Sequence, residues 1–175
     1  MRADMSTYLV LTVIGNDRPG LVEELSTTIS AHQGNWLEAS MSHLAGQFAG
    51  IVRVALPDAK VAPLQGALRN LAHLQISTAA SSTDTVAEGR TLLLALVGHD
   101  RIGIVREVTQ VLARHAVNVE KLTTYTASAP MSAETLFHAS AELRAAPALD
   151  ARALKTELEN LSDDLMVDIS IVETV

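Results

Sequence analysis

The chain has no cysteine among its 175 residues, so disulfides, thiolate chemistry and most structural zinc arrangements are excluded at the outset. Aromatic residues are almost as scarce, at 3%, and Trp36 is the single tryptophan. A core must therefore be built from Leu, Val, Ile and Ala. Clustered positive charge is also lacking. Thirteen Lys and Arg are scattered along the chain against twenty Asp and Glu, for a formal net charge of −7. Proteins that grip DNA directly ordinarily present a basic face, because phosphate neutralisation supplies much of the affinity. Direct nucleic-acid binding is therefore not expected. Long apolar runs are missing too: Tyr8–Ile14 is too short for a signal core or a bilayer span, and no later segment reaches spanning length. The expectation is no membrane association and a cytoplasmic location.

What is present is ample material for a packed core: 48% hydrophobic residues with only 19% charged, a balance that disfavours wholesale disorder. Much of it is repeated. Shifting the chain by 83 residues lays Tyr8–Met41 over Thr91–Thr124, with ten identical pairs. Six form one run, Gly-x-Asp-Arg-x-Gly-x-Val-x-Glu, from Gly15 to Glu24 and from Gly98 to Glu107. His32 and Asn35 recur as His115 and Asn118. Further on, Leu64, Leu68 and Leu71 fall over Leu154, Leu158 and Leu161 at a shift of 90, so the second copy carries an insertion. The Ser- and Pro-containing stretch Ala127–Glu134 is the natural place for part of it. Self-similarity at this period means two modules, expected at residues 1–80 and 91–175 around a polar linker, 81–90.

Within each copy the hydrophobic period changes in one order. Tyr8–Ile14 reads as a strand. Pro19–His32 reads as a helix, with Val22, Leu25 and Ile29 on one face and Glu23 and Glu24 away from it. Leu37–Ser42 and Phe48–Leu56 alternate as strands, Ala62–Leu71 is helical, and His73–Ser81 closes the copy. The second copy repeats this as Thr91–Val97, Ile102–His115, Val119–Thr126, Thr135–Leu143, Ala151–Leu161 and Met166–Glu173. The fold class is α+β: two tandem ferredoxin-like βαββαβ modules, each with two helices on one face of an antiparallel sheet. The uncovered face or the sheet edge would be where modules meet or a homodimer forms.

The turn between the first strand and the first helix carries the chemistry on offer. Pro19 is compatible with a first helical turn, Asp17 stands where a carboxylate caps a helix, and Gly20 permits close approach. The amides of Gly20, Leu21 and Val22 would be unpaired donors that suit a small carboxylate. Asp17 would suit an ammonium group, and Asn35 would add a neutral donor and acceptor to the same pocket. Asp100, Gly103, Ile104 and Asn118 repeat the set. The residues alone favour a cap, a tight turn and a strand-entry asparagine with no ligand, with Arg18 and Arg101 as surface arginines paired to neighbouring acids.

This strand, (Asn/His)-Asp-Arg-(Pro/Ile)-Gly turn, helix and asparagine, in a βαββαβ unit, resembles the ACT domain, a regulatory module that binds amino acids. Two such modules over about this length resemble the glycine cleavage system transcriptional repressor family. The resemblance implies a ligand lying at an interface between modules against the first turn, in contact with Asn16, Asp17, Gly20, Leu21 and Asn35, and with His99, Asp100, Gly103, Ile104 and Asn118. Ile102 and His99 depart from the pattern by replacing Pro19 and Asn16, which favours the first copy as the ligand site. The implied partners are a small amino acid, glycine or serine, and a DNA-binding transcriptional activator protein. The competing implication is a stand-alone ACT regulatory or dimerisation subunit of an amino-acid metabolic enzyme, with or without ligand.

Catalysis is not expected. The six histidines do not fall at metal-ligand spacing, and no nucleophile elbow, phosphate loop or dinucleotide fingerprint appears; no metal or cofactor is called for. His32 and His115 stand where a histidine caps a helix end. Trp36 reads as an anchor in the core or at a module interface.

Overall fold

The computed structural model describes residues 6–81 and 88–172. The chain forms two compact units, residues 1–85 and 86–175. Of the expected linker, residues 82–87 lie outside the described residues, as does Glu173 at the end of the last expected strand. The first unit runs β1 (Ser6–Asn16), α1 (Leu21–Ala31), β2 (Asn35–Leu44), β3 (Gln47–Pro57), α2 (Asp58–Arg69) and β4 (Gln75–Ser81). The second runs β5 (Arg90–His99), α3 (Ile104–Arg114), β6 (Asn118–Ser128), β7 (Thr135–Ala145), α4 (Ala151–Glu159) and β8 (Met166–Val172). Each is a four-stranded antiparallel sheet, ordered β2-β3-β1-β4 and β6-β7-β5-β8. The expected α+β, ferredoxin-like βαββαβ architecture is what forms, twice.

Each unit buries its own core, because a strand alternates its side chains between faces and a helix repeats on one stripe. Leu9, Leu11 and Val13 of β1 meet Leu21, Leu25 and Ile29 of α1 and Leu64 and Leu68 of α2. Leu92, Leu94 and Leu96 of β5 play the same part against Val108, Leu112, Leu154 and Leu158. Trp36 is half-buried against the first core. On the opposite sheet faces, Ile14, Ile51 and Leu93 remain exposed. There, Arg53 lies over the Tyr8 ring at 5.1 Å, and Tyr125 stacks on His138 with centroids 4.6 Å apart.

Two expectations are corrected. The first helices begin at Leu21 and Ile104, two residues later than the sequence pattern suggests, so Pro19 precedes the helix rather than occupying its first turn. With that start the buried stripe of α1 is Leu21, Leu25 and Ile29, spaced one turn apart, and Val22 is 45% exposed.

Most of the insertion in the second copy lies in the hairpin between its middle strands. β2 and β3 are joined by Ala45 and Gly46 alone, with φ of 49° and 78°. Two positive φ values make the tight turn whose twist matches its strands. β6 and β7 are joined by residues 129–134 instead.

Candidate functional site

The duplicated Gly-x-Asp-Arg-x-Gly-x-Val-x-Glu run folds into the same turn in both units, and five of its six repeated residues have a physical part in it; the valines, Val22 and Val105, are exposed. The second glycine is the helix N-cap: Gly20 has φ 90°, ψ −2° and Gly103 has φ 90°, ψ −1°. A side chain at Gly20 would meet nothing within 4 Å, so the left-handed backbone, and not lack of space, requires glycine there. The arginine and glutamate latch the turn to the first helical turn. Arg18 reaches Glu24 at 3.0 Å, and Arg101 holds both oxygens of Glu107 at 2.8 and 2.6 Å. The Arg101 guanidinium draws the Glu107 carboxyl below its usual range, and Glu107 raises Arg101 in return. The aspartate's main chain ties the turn to the neighbouring hairpin: Asp17 N–H donates to Gly46 O and Asp100 N–H to Thr135 O, both at 2.9 Å. The first glycine allows close packing. A Cβ at Gly15 would stand 2.4 Å from the His73 carbonyl oxygen, and one at Gly98 2.8 Å from Leu165 Cδ1.

Several site expectations change on this geometry. Asp17 is exposed and does not cap α1; the cap is Gly20, and no side chain caps the helix. Proline does not set the turn, since the Ile102-containing copy adopts the same conformation. Asn35 does not join Asp17. Asn16 pairs with Gln47 while Asn35 pairs with Ala55, eight residues away along β3, which is roughly 27 Å at about 3.4 Å per residue. The reason is topological: α1 carries the chain back along the sheet, so β2 begins at the end opposite the turn. Asn118, paired with Arg144 while His99 pairs with Leu136, is displaced in the same way. Asn16, Asp17, Gly20 and Leu21 do stay together, as do His99, Asp100, Gly103 and Ile104.

The two units differ on the far side of the turn. In the first, a depression of about 300 Å3 opens between the β1–α1 turn and the residues preceding β4, lined by Asn16, Arg18, Gln47, His73 and Gln75 among others. Gln47 Nε2 donates to Asn16 Oδ1 at 2.8 Å. In the second, the corresponding place is closed by carboxylates. The His99 N–H donates to Asp164 Oδ2 at 2.6 Å, and its ring nitrogens lie 3.0 Å from Asp164 and 2.9 Å from Glu134. Ser162 donates its hydroxyl to the other Asp164 oxygen. Glu134 comes from the inserted β6–β7 connection, so the insertion supplies half of this clamp.

The Ser162 hydroxyl and, after it, the His99 amide hold the Asp164 carboxyl down from its ordinary 3.8 to about 2. A carboxyl whose folded value lies below its unfolded value stabilises the fold fully above the unfolded value and loses that contribution as pH falls through the folded one. The Asp164→Asn variant is accordingly expected to show a shallower loss of stability than the parent between about pH 4 and pH 2. Denaturant melts across that range check it; parallel profiles would remove Asp164 from the clamp.

The other histidines are structural or exposed. His32 Nδ1 lies 2.8 Å from the Thr28 carbonyl, the expected helix-end cap, whereas His115 joins Arg114 on Glu157 of α4. Among the described residues no three His, Asp or Glu side chains are placed to hold a metal ion. In the His99 cluster the two carboxylates occupy opposite ring nitrogens and do not converge. No helix among those residues is long and apolar enough to cross a membrane. Sequence reasoning missed Gln47, His73, Glu134 and Asp164, which come from distant elements. Gly15 and Glu24, by contrast, were visible in the repeat, as identities whose purpose the structure supplies.

A sequence profile of the ACT domain matches residues 7–78 and again residues 90–172. The chain belongs to the ACT domain family. Both ACT modules have solved counterparts over their whole length. An unknown protein from Galdieria sulphuraria is 32% identical, with a TM-score of 0.85 over 97% of this chain and 100% of that one. A candidate glycine cleavage system transcriptional repressor is 19% identical, with a TM-score of 0.70 over 97% and 99%, a likeness of fold. A UPF0237 protein of Methanopyrus kandleri is 40% identical over 55 residues, a match taking in 31% of this chain and 61% of that relative.

Proposed function

We propose that this chain is a non-catalytic, cytoplasmic regulatory protein that binds a small amino acid, glycine or serine, and represses transcription by contacting a DNA-binding activator protein. The observation that carries this reading is that matches to the ACT domain account for nearly all of the chain, and each match contains the same glycine-capped turn. First-turn amides without a side-chain cap suit an anion, and the exposed Asp17 beside them suits an ammonium group. Both charges of a zwitterion thus find partners around Asn16, Asp17, Gly20 and Leu21. The second turn, with His99, Asp100, Gly103 and Ile104, is the weaker candidate: the Ile104 N–H is directed to the Arg101 carbonyl at 3.4 Å, and His99 is held by the clamp. Asn35 and Asn118 have no part in a site confined to one module. Transcriptional repression is suggested by the whole-length tandem likeness to the candidate repressor, and action through a protein suits the net charge of −7.

Calorimetry of the full chain with glycine and with serine tests the binding. The Asp17→Ala variant is expected to weaken it at least tenfold, about 1.4 kcal/mol; unchanged affinity removes Asp17 from the site. Affinity capture from cytosol with and without glycine tests the role. Glycine-dependent recovery of a DNA-binding regulator supports repression, whereas recovery of an amino-acid metabolic enzyme favours the regulatory-subunit reading.

A further inference from the structure

We infer that the depression beside the first turn is a carboxylate subsite, and that the second module fills the equivalent place with a carboxylate of its own, Asp164. Strand register makes the two places equivalent. Ile14 pairs with Gln75 in the first module as Val97 pairs with Met166 in the second, so Asn16 corresponds to His99 and His73 to Asp164. In the second module the His99 N–H donates to Asp164. In the first, the Asp17 N–H is committed to Gly46 on the β3 side. Successive amides of an antiparallel strand point to opposite edges, so the Asn16 N–H faces the β4 side, as the His99 N–H faces the β8 side. There it meets a histidine position where its counterpart meets an acid.

The surroundings agree with an anionic occupant. No acidic residue lines the depression, although the chain as a whole is strongly acidic. Arg18 and His73 border it, with Gln47 and Gln75 as neutral donors; Arg18 is shared with Glu24, which tempers its charge without removing its hydrogen-bonding edge. The volume of about 300 Å3 is ample for an acetate- or glycine-sized molecule. The His73 main chain packs directly against Gly15, which keeps the floor of the depression bare. The two modules thus form one site in two conditions: self-occupied where an aspartate follows α4, open where a histidine follows α2. The inference refines the proposed function by moving the ligand's carboxylate from the helix-start amides to the strand side of the turn, and it depends on that reading only for the ligand being an amino acid.

Amide chemical-shift mapping of the full chain tests it with three probes: glycine, acetate (carboxylate only) and glycinamide (no carboxylate). Glycine and acetate are expected to move the Asn16 amide and leave the His99 amide in place, and glycinamide to move neither. His73→Asp should abolish the acetate response and weaken glycine at least tenfold. Asp164→His should make the His99 amide responsive to acetate. Glycine binding that shifts Leu21 and Val22 but not Asn16 overturns the subsite while leaving amino-acid sensing intact. Acetate moving Asn16 while no amino acid binds supports the subsite and overturns the sensing role. Neither probe moving Asn16 overturns the subsite outright.

Discussion

Truncating Leu25 to alanine is expected to cost the first module about 2–5 kcal/mol, the range for a fully buried leucine whose cavity only partly collapses. Leu25 is wholly inaccessible, between Leu21 and Ile29 on the stripe that α1 presents to the sheet. Trp36 packs against the same core, so its fluorescence should report an earlier unfolding transition. Val22→Ala, three residues earlier on the same helix, is expected to stay within about 0.5 kcal/mol, as exposed substitutions do. Equal losses at the two positions would mean that the helix is rotated from the orientation described.

Gly15→Ala is expected to destabilise the same module by about 1–3 kcal/mol, the usual cost of forcing atoms into a filled space. The added carbon would stand 2.4 Å from the His73 carbonyl oxygen, and a backbone oxygen cannot turn aside. Gly98→Ala should cost less, because the nearest atom there is a leucine methyl, which can shift. Gly20→Ala probes something else. Its carbon meets open space, yet φ of 90° carries a backbone cost of about 1–2 kcal/mol for an L-residue. Denaturant melts of the three variants separate crowding from backbone strain. A silent Gly15→Ala would show that the β4 end of the sheet is loosely seated.

Most of the architecture is legible in the sequence because it is written in local periods. The run Tyr8–Ile14, the alternation Phe48–Leu56 and the leucine spacing of α2 each depend on neighbours in the chain, and duplication lets each copy check the other. The insertion could be located for the same reason. The start of α1 was less legible: Pro19 is a familiar first-turn residue, but the left-handed Gly20 after it postpones the helix and moves the buried stripe off Val22. The candidate site was legible only within the turn itself, where Asn16, Asp17, Gly20 and Leu21 are near neighbours in the chain. Asn35 looked like a pocket residue because it recurs as Asn118, but recurrence says nothing about which end of a sheet a residue occupies. His73 and Asp164 are unlike one another, so comparing the copies hid them; only strand register brings them to the same place.

The two-residue Ala45–Gly46 turn has a consequence in time. Closing a short, preshaped hairpin costs less chain entropy than closing one through the longer connection at residues 129–134, and hairpins form on the microsecond scale. The strands β2 and β3 thus have a local route to their register, while β6 and β7 must first close a longer connection. In a kinetic experiment the amino-terminal half should gain its sheet first, and lengthening the Ala45–Gly46 turn to six residues should slow it toward the pace of its sister.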